Sequence, residues 1–196
     1  MDTGDADFQH EEDPKRTSRW VLHSREVAYE NEWMTVWHDQ VVRPDGTPGV
    51  YGVVHFPTAG VWIAAIEDDR VLLVGQHRHP LGGAWSWELP AGKLVEGEST
   101  LEGAKRELAE ETGYRANVWR ELTRFDLAAG VSDLHGACFE ATDLTPGASS
   151  PDGTEAIEVR WVTFDDALEL IERGVLTDAV TQTALFRIAL DRRTPR

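Results

Sequence analysis

The chain has 196 residues but a single cysteine, two methionines and 19 basic side chains against 35 acidic ones. With Cys138 alone, neither an intrachain disulfide nor a cysteine-based zinc site can form. Cys138 sits in an alternating apolar segment, which reads as a small buried hydrophobe rather than a reactive thiol. The net charge is −16. A surface of that sign repels phosphate backbones and anionic lipid, so neither a nucleic-acid track nor a membrane face is expected. No apolar run approaches the roughly 18 residues needed to cross a bilayer. Residues 1–16 are acidic and lack the apolar segment of a signal peptide, so the expectation is a cytoplasmic protein. A small phosphorylated ligand stays within reach, because a bound cation and a few local arginines can invert the sign of a site.

Against this background, residues 92–114 carry organised chemistry: GKLVEGESTLEGAKRELAEETGY. Ser99 followed by Glu102 is a capping box, and Gly113 stands where a helix would end in a left-handed turn. Leu101, Ala104 and Leu108 recur at helical spacing and give a packing face. At 100° per residue, Glu107 and Glu111 lie about 40° apart, with Glu110 about 60° to the other side of Glu107. Like charges so close weaken an isolated helix, so something must offset them. Two readings follow. One is a solvated acidic face with basic partners, Arg106 first among them. The other is a hard divalent cation, which takes carboxylate, water and phosphate oxygens.

The wider pattern resembles a known family. Gly92, five residues, Glu98, seven residues, then Arg106-Glu107-Leu108-Ala109-Glu110-Glu111-Thr112-Gly113-Tyr114 is similar to the Nudix box at each defined position. Upstream, Val74-Gly75-Gln76-His77-Arg78 and Trp87-Glu88-Leu89-Pro90-Ala91-Gly92 resemble the ADP-ribose pyrophosphatase branch. The similarity spans residues 31–190. It implies Mg²⁺-dependent hydrolysis of a nucleoside diphosphate linked to another group, ADP-ribose or a related nucleotide sugar foremost, with Mn²⁺ as the alternative ion. GDP-mannose, other sugar nucleotides, dinucleoside polyphosphates and a non-catalytic sensor stand as alternatives.

Taken in order, residues 1–18 read as a disordered acidic tail. Residues 19–57 read as a small N-terminal β-element, with strands near 20–29, 33–42 and 51–56 and a Pro44-Asp45-Gly46 turn. On the second strand Met34, Val36 and His38 share a side. Residues 58–196 read as the catalytic domain. It has a hairpin over 61–76, a Pro/Gly loop over 79–85, strands near 118–127, 137–142 and 157–162, and helices near 165–173 and 178–191. This is an α+β arrangement. The resemblance sharpens it to an α/β/α sandwich with a mixed sheet and flanking helices.

Glu107 and Glu111, one helical turn apart, are the first candidate metal ligands, and the resemblance adds the Ala91 carbonyl. Glu110 stands close enough to contribute or to orient a water, and Glu98 starts the helix behind them. Arg106 holds the carboxylates in place. By resemblance Arg78 approaches the substrate phosphates; a surface arginine explains it too. Glu88 matches an acid of the same motif, or serves as a structural partner. Trp33, Trp37, Trp85 and Trp87 are candidates to stack a purine or to pack a core. Resemblance favours Trp33, because it implies a homodimer in which the N-terminal β-element of one subunit covers the active site of the other. His77 and His79 form a small basic cluster with Arg78. The chain departs from the branch at residues 128–135, AAGVSDLH: Leu134 stands where the branch has a glutamate that acts on water. Asp133, His135 and Glu155 are the candidate substitutes, His135 being suited to general-base work near neutrality.

Overall fold

The computed structural model describes residues 19–148 and 157–193. The expected tail, and Glu155 with the loop around it, lie outside the described residues. The chain divides into two compact units. One comprises the chain up to Phe56 with Gly130–Asp133; the other comprises Pro57–Ala129 and the chain from Leu134 onward.

The first unit is an antiparallel meander of β1 (Val21–Glu30), β2 (Thr35–Val42) and β3 (Pro48–His55). The turn residues place Gly46 at φ 85°, as the Pro-Asp-Gly chemistry predicts. The buried side of β2 is not the Met34–Val36–His38 row but the other one, where Asp39 and Val41 are buried and Trp37 is half-buried. A charge tolerates that position because Arg25 grips Asp39 with two bonds of 2.7 Å. The Arg25 hydrogen bonds hold the Asp39 carboxyl below its usual range. Arg25 also lies 3.6 Å over the Trp37 ring, which stacks on His55 at 4.2 Å. Gly130–Asp133 adds to β3: Val54 donates to the Val131 carbonyl at 2.8 Å, and Tyr51 Oη donates to the Gly130 carbonyl at 2.7 Å. Asp133 receives the Phe56 N–H at 2.9 Å and pairs with His55 Nδ1 at 2.5 Å.

The second unit is built on a seven-stranded mixed sheet. Its strands are β4 (Gly60–Glu67), β5 (Arg70–Arg78), β6 (Ala84–Glu88), β7 (Ala91–Lys93), β8 (Tyr114–Asp126), β9 (His135–Pro146) and β10 (Glu158–Thr163). The main order is β10-β5-β4-β9-β8, with β6 on β5 and β7 on β4. The β4/β9 pair is parallel and the others are antiparallel. The β4–β5 ladder holds only next to the hairpin turn, at Ile66↔Val71 and Glu67↔Arg70. Beyond it β7 pairs with β4 and β6 with β5.

Helix α1 (Thr100–Thr112) covers one face, where Ala104 and Leu108 meet Val61, Ile63, Leu72, Ala137 and Phe139. Helices α2 (Phe164–Glu172) and α3 (Ala179–Arg193) cover the other, where Phe164, Leu185 and Ile188 meet Ala64, Leu73 and Cys138. Each such large side chain contributes about 1.5–3 kcal/mol on burial, so the two layers hold the sheet from both sides. The helix–sheet–helix layering is the expected one. Strands β6 and β7 were not expected, and β8 and β9 run longer than the sequence pattern suggests. No helix among the described residues is long and apolar enough to cross a membrane.

Candidate active site

Helix α1 begins as its sequence dictates. Ser99 caps it, accepting the Glu102 N–H, while the Glu102 carboxylate receives the Ser99 N–H at 2.9 Å. It ends at Gly113 with φ 77°, a left-handed conformation that glycine adopts without a Cβ clash. Ala104 and Leu108 are buried against the sheet and Leu101 is half-buried, so the remaining arc carries the acids.

Arg106 organises that arc. Nε and Nη2 donate to Glu98 at 3.0 and 2.9 Å. Nη1 donates to Glu107 at 2.7 Å and to Glu110 at 3.0 Å, and Nη2 also donates to the Lys93 carbonyl at 2.9 Å. These bonds use the five N–H donors of a guanidinium. They raise the Arg106 pKa further above its ordinary value, the Glu98 bond most. The same bond holds the Glu98 carboxyl low.

The stretch before the helix is pinned from three directions. Leu89 N–H donates to Thr181 Oγ1 of α3 at 3.0 Å, and the Pro90 carbonyl accepts Ile63 N–H at 2.9 Å. Ala91 N–H donates to Glu111 Oε2 at 3.0 Å, which sets the Ala91 peptide beside the buried Glu111 carboxylate. At Gly92 an added Cβ would stand 2.0 Å from the Glu107 carboxyl carbon. Glycine at 92 is therefore what lets the Glu107 carboxylate occupy its place.

No metal ion is part of the structure, and among the described residues no three His, Cys, Asp or Glu side chains form a ready-made cluster. The donor set nevertheless fits a hard divalent cation. It consists of oxygens alone, from Glu107, Glu110, Glu111 and the adjoining backbone, and the hollow at Gly92 keeps one of these carboxylates against the loop. Such an ion would share Glu107 and Glu110 with the Arg106 guanidinium.

Arg78 and Glu88 face each other across β5 and β6. Nε of Arg78 donates to Glu88 Oε1 at 3.0 Å, and Nη2 to Oε2. Burial pushes the Glu88 carboxyl up, but hydrogen bonds from Arg78 and Ser86 and the Arg78 charge outweigh it, and the net value is lowered. On β5, Arg78 alternates in step with Leu72 of the α1-side core. The register pairs Gly75 with Trp87 and His77 with Trp85, which puts these three side chains on the opposite face. Trp87 packs there against the α2/α3-side core. Trp85 and Trp87 are therefore not on the face of the acids, which removes them as purine stackers for this site. Trp37 is likewise engaged, by Arg25 and His55. His77 Nδ1 donates to the Gly83 carbonyl at 2.8 Å and packs edge-on to Trp85, a structural role.

His135 opens β9 as the cross-strand partner of Asp126 and lies in the same alternating row as Ala137 and Phe139 of the α1-side core. Asp133 is held by His55 and the Phe56 N–H within the first unit. Trp33, in the first unit, is exposed, and its N–H donates to Asn31 Oδ1 at 2.8 Å. Sequence reasoning missed three residues of the second unit: Thr181, which fixes Leu89; the Lys93 carbonyl, which fixes Arg106; and Asp126, beside His135. Thr181 lies 92 residues from Leu89, and no local signal points to it.

A NUDIX domain family model matches residues 55–181, and a nucleoside diphosphate sugar hydrolase N-terminal domain model matches residues 20–54. A CMP-5'-(N-acetyl-N-hydroxy-3-aminopropyl)phosphonate hydrolase of Streptomyces rubellomurinus is 31% identical over 87% of this chain and 82% of its own length. An ADP-ribose pyrophosphatase of Bacillus subtilis is 32% identical over 85% of this chain and 91% of its own. The crystal structure of an ADP compounds hydrolase shares the fold, with a TM-score of 0.80 at 23% identity over 87% of this chain and 92% of that one.

Proposed function

This chain belongs to the Nudix family, and on that premise we propose that it hydrolyses the diphosphate of ADP-ribose or a related nucleotide sugar. The products are a nucleoside monophosphate and a sugar phosphate. Nudix hydrolases use divalent metal ions; here Mg²⁺ is the preferred ion and Mn²⁺ its substitute. The observation that carries the reading is the acidic arc of α1, with Glu107 seated against Gly92 and Glu111 against the Ala91 N–H. The relatives bearing pyrophosphatase names support the substrate class.

Glu107, Glu110, Glu111 and the Ala91 carbonyl would hold the ion. Held there, such an ion would supply positive charge to the diphosphate oxygens and would make a water more acidic. Arg106 keeps Glu107 and Glu110 in register through its shared Nη1. Arg78 binds a substrate phosphate, and Glu88 holds its guanidinium in a fixed plane. His135 accepts the proton of the attacking water, and Trp33, contributed by the second copy of the homodimer, stacks the base. The chain comprises an N-terminal β-element over 19–57 and a catalytic domain over 58–196, and works in the cytoplasm as a homodimer. Support for the dimer lies in β1, an edge strand on which Val21, Leu22, Val27 and Tyr29 are each more than half exposed. Light scattering tests it: a monomer mass refutes it.

One observation favours a second reading, a nucleotide-sugar sensor without turnover. Leu134 cannot take a proton, and Asp133 beside it is already paired with His55. A panel of nucleotide sugars, assayed for nucleoside monophosphate with Mg²⁺ and with EDTA, separates the two. Metal-dependent release supports the hydrolase. Tight binding with no release from any panel member, together with a gain of turnover in Leu134→Glu, supports the sensor.

A further inference from the structure

A groove of about 450 Å³ opens in the second unit where β4 and β9 begin and β8 ends. Its walls include Ala59, Leu94, Glu98, Asp126, His135 and Ala137. The volume falls within the range of small-ligand sites, about 300–1,000 Å³. Two connections tie it to the acidic arc. Glu98 is both a groove wall and the partner of Arg106, whose other bonds reach Glu107 and Glu110. His135 belongs to the strand row that faces α1, and Asp126 stands directly opposite it on β8, so the two side chains share a face.

The charges of the walls select the ligand. Glu98 is engaged by Arg106, and Arg124, also on the wall, is held by Glu121 through Nε and Nη2. Asp126 adds an exposed carboxylate. Within a chain of net charge −16, such a wall turns away further phosphates. It favours hydroxyl donors, as acidic residues do when they hydrogen-bond the ribose of a bound nucleotide. Ala59, Leu94 and Ala137 present apolar surface to the C–H face of a ring.

We propose that this groove receives the neutral sugar ring beyond the second phosphate, with Asp126 binding its hydroxyls as a specificity-determining residue. The proposal rests on the hydrolase reading and narrows its substrate to a polyol-bearing nucleotide, in preference to a dinucleoside polyphosphate.

The test compares wild type, Asp126→Ala and Asp126→Asn in two assays. The first measures kcat/KM for ADP-ribose and for the β-methyl ester of ADP, which lacks the sugar. The second measures ribose 5-phosphate binding by calorimetry, which needs no turnover. Loss of a charged hydrogen-bond acceptor predicts about a tenfold or greater fall in kcat/KM for ADP-ribose in Asp126→Ala, with the methyl ester unchanged. Ribose 5-phosphate binding weakens in parallel, and Asp126→Asn lies between. Equal effects on both substrates, no effect on either, or no ribose 5-phosphate binding to wild type overturns the groove assignment. If binding is present and lost in Asp126→Ala while neither substrate is cleaved, the groove stands and the hydrolase reading falls.

Discussion

The Glu107 carboxylate fills the space that a side chain at Gly92 would need, with 2.0 Å between its carboxyl carbon and a Cβ built on residue 92. Gly92→Ala must therefore displace Glu107 or the loop. A shift of about 1 Å in a catalytic group costs on the order of 100-fold in rate. The expected result is a fall of that size in kcat with a folded far-UV spectrum, measured by steady-state kinetics and circular dichroism.

Arg106 is the internal counter-charge to Glu98, Glu107 and Glu110. Lysine keeps the charge but not the planar fork. Arg106→Lys is expected to lose about 1–3 kcal/mol of stability, since the partner acids are only partly screened by solvent. Mg²⁺ is then expected to raise Tm more in the variant than in wild type, because a single ammonium cannot bridge the three acids as the guanidinium does and leaves part of their repulsion for a cation to relieve. Thermal melts with and without MgCl₂ check both; equal metal shifts contradict the account.

Glu88 gives a pH signature with a definite sign. Its folded carboxyl lies below its ordinary value of 4.5. A depressed carboxyl contributes stability above the unfolded pKa and loses it as pH falls through the folded one. Wild type should therefore exceed Glu88→Gln in stability at about pH 7, and the gap should close as pH falls below about 4.5. Urea melts across that range measure the gap; a gap that widens toward acid contradicts the Arg78–Glu88 pairing.

Cys138 is buried, and its thiol is pushed up to about 12, chiefly by burial. A thiolate reagent is expected to label it only as fast as the protein unfolds, and at full rate in denaturant. Stoichiometric labelling of the native protein within seconds refutes the placement.

The legible parts of this molecule were those set by neighbours in sequence. The Ser99–Glu102 box, the Gly113 stop, the Leu101–Ala104–Leu108 face and the 61–76 hairpin all rest on spacings of a few residues. Strands β6 and β7 escaped because they are five and three residues long and flanked by Gly82, Gly83 and Pro90. The buried side of β2 escaped because Asp39 is made tolerable by Arg25, 14 positions away. Trp85 and Trp87 invited a role at the site until the β5/β6 register placed them on the other face. Within the candidate site, the relative placement of Arg106, Glu107, Glu110 and Glu111 follows from the period of one helix. The pin from Thr181 to Leu89 and the Asp126–His135 pairing depend on segments that meet only in the folded sheet.

The most direct test of the central claim is AMP release from ADP-ribose by wild type and Glu111→Gln, each with Mg²⁺ and with EDTA. Glutamine keeps an acceptor for the Ala91 N–H while removing the charge, so the fold is expected to persist. The account predicts release by wild type with Mg²⁺ alone, and a fall in Glu111→Gln to the EDTA level. Release that is indifferent to EDTA, or undiminished in Glu111→Gln, would contradict it.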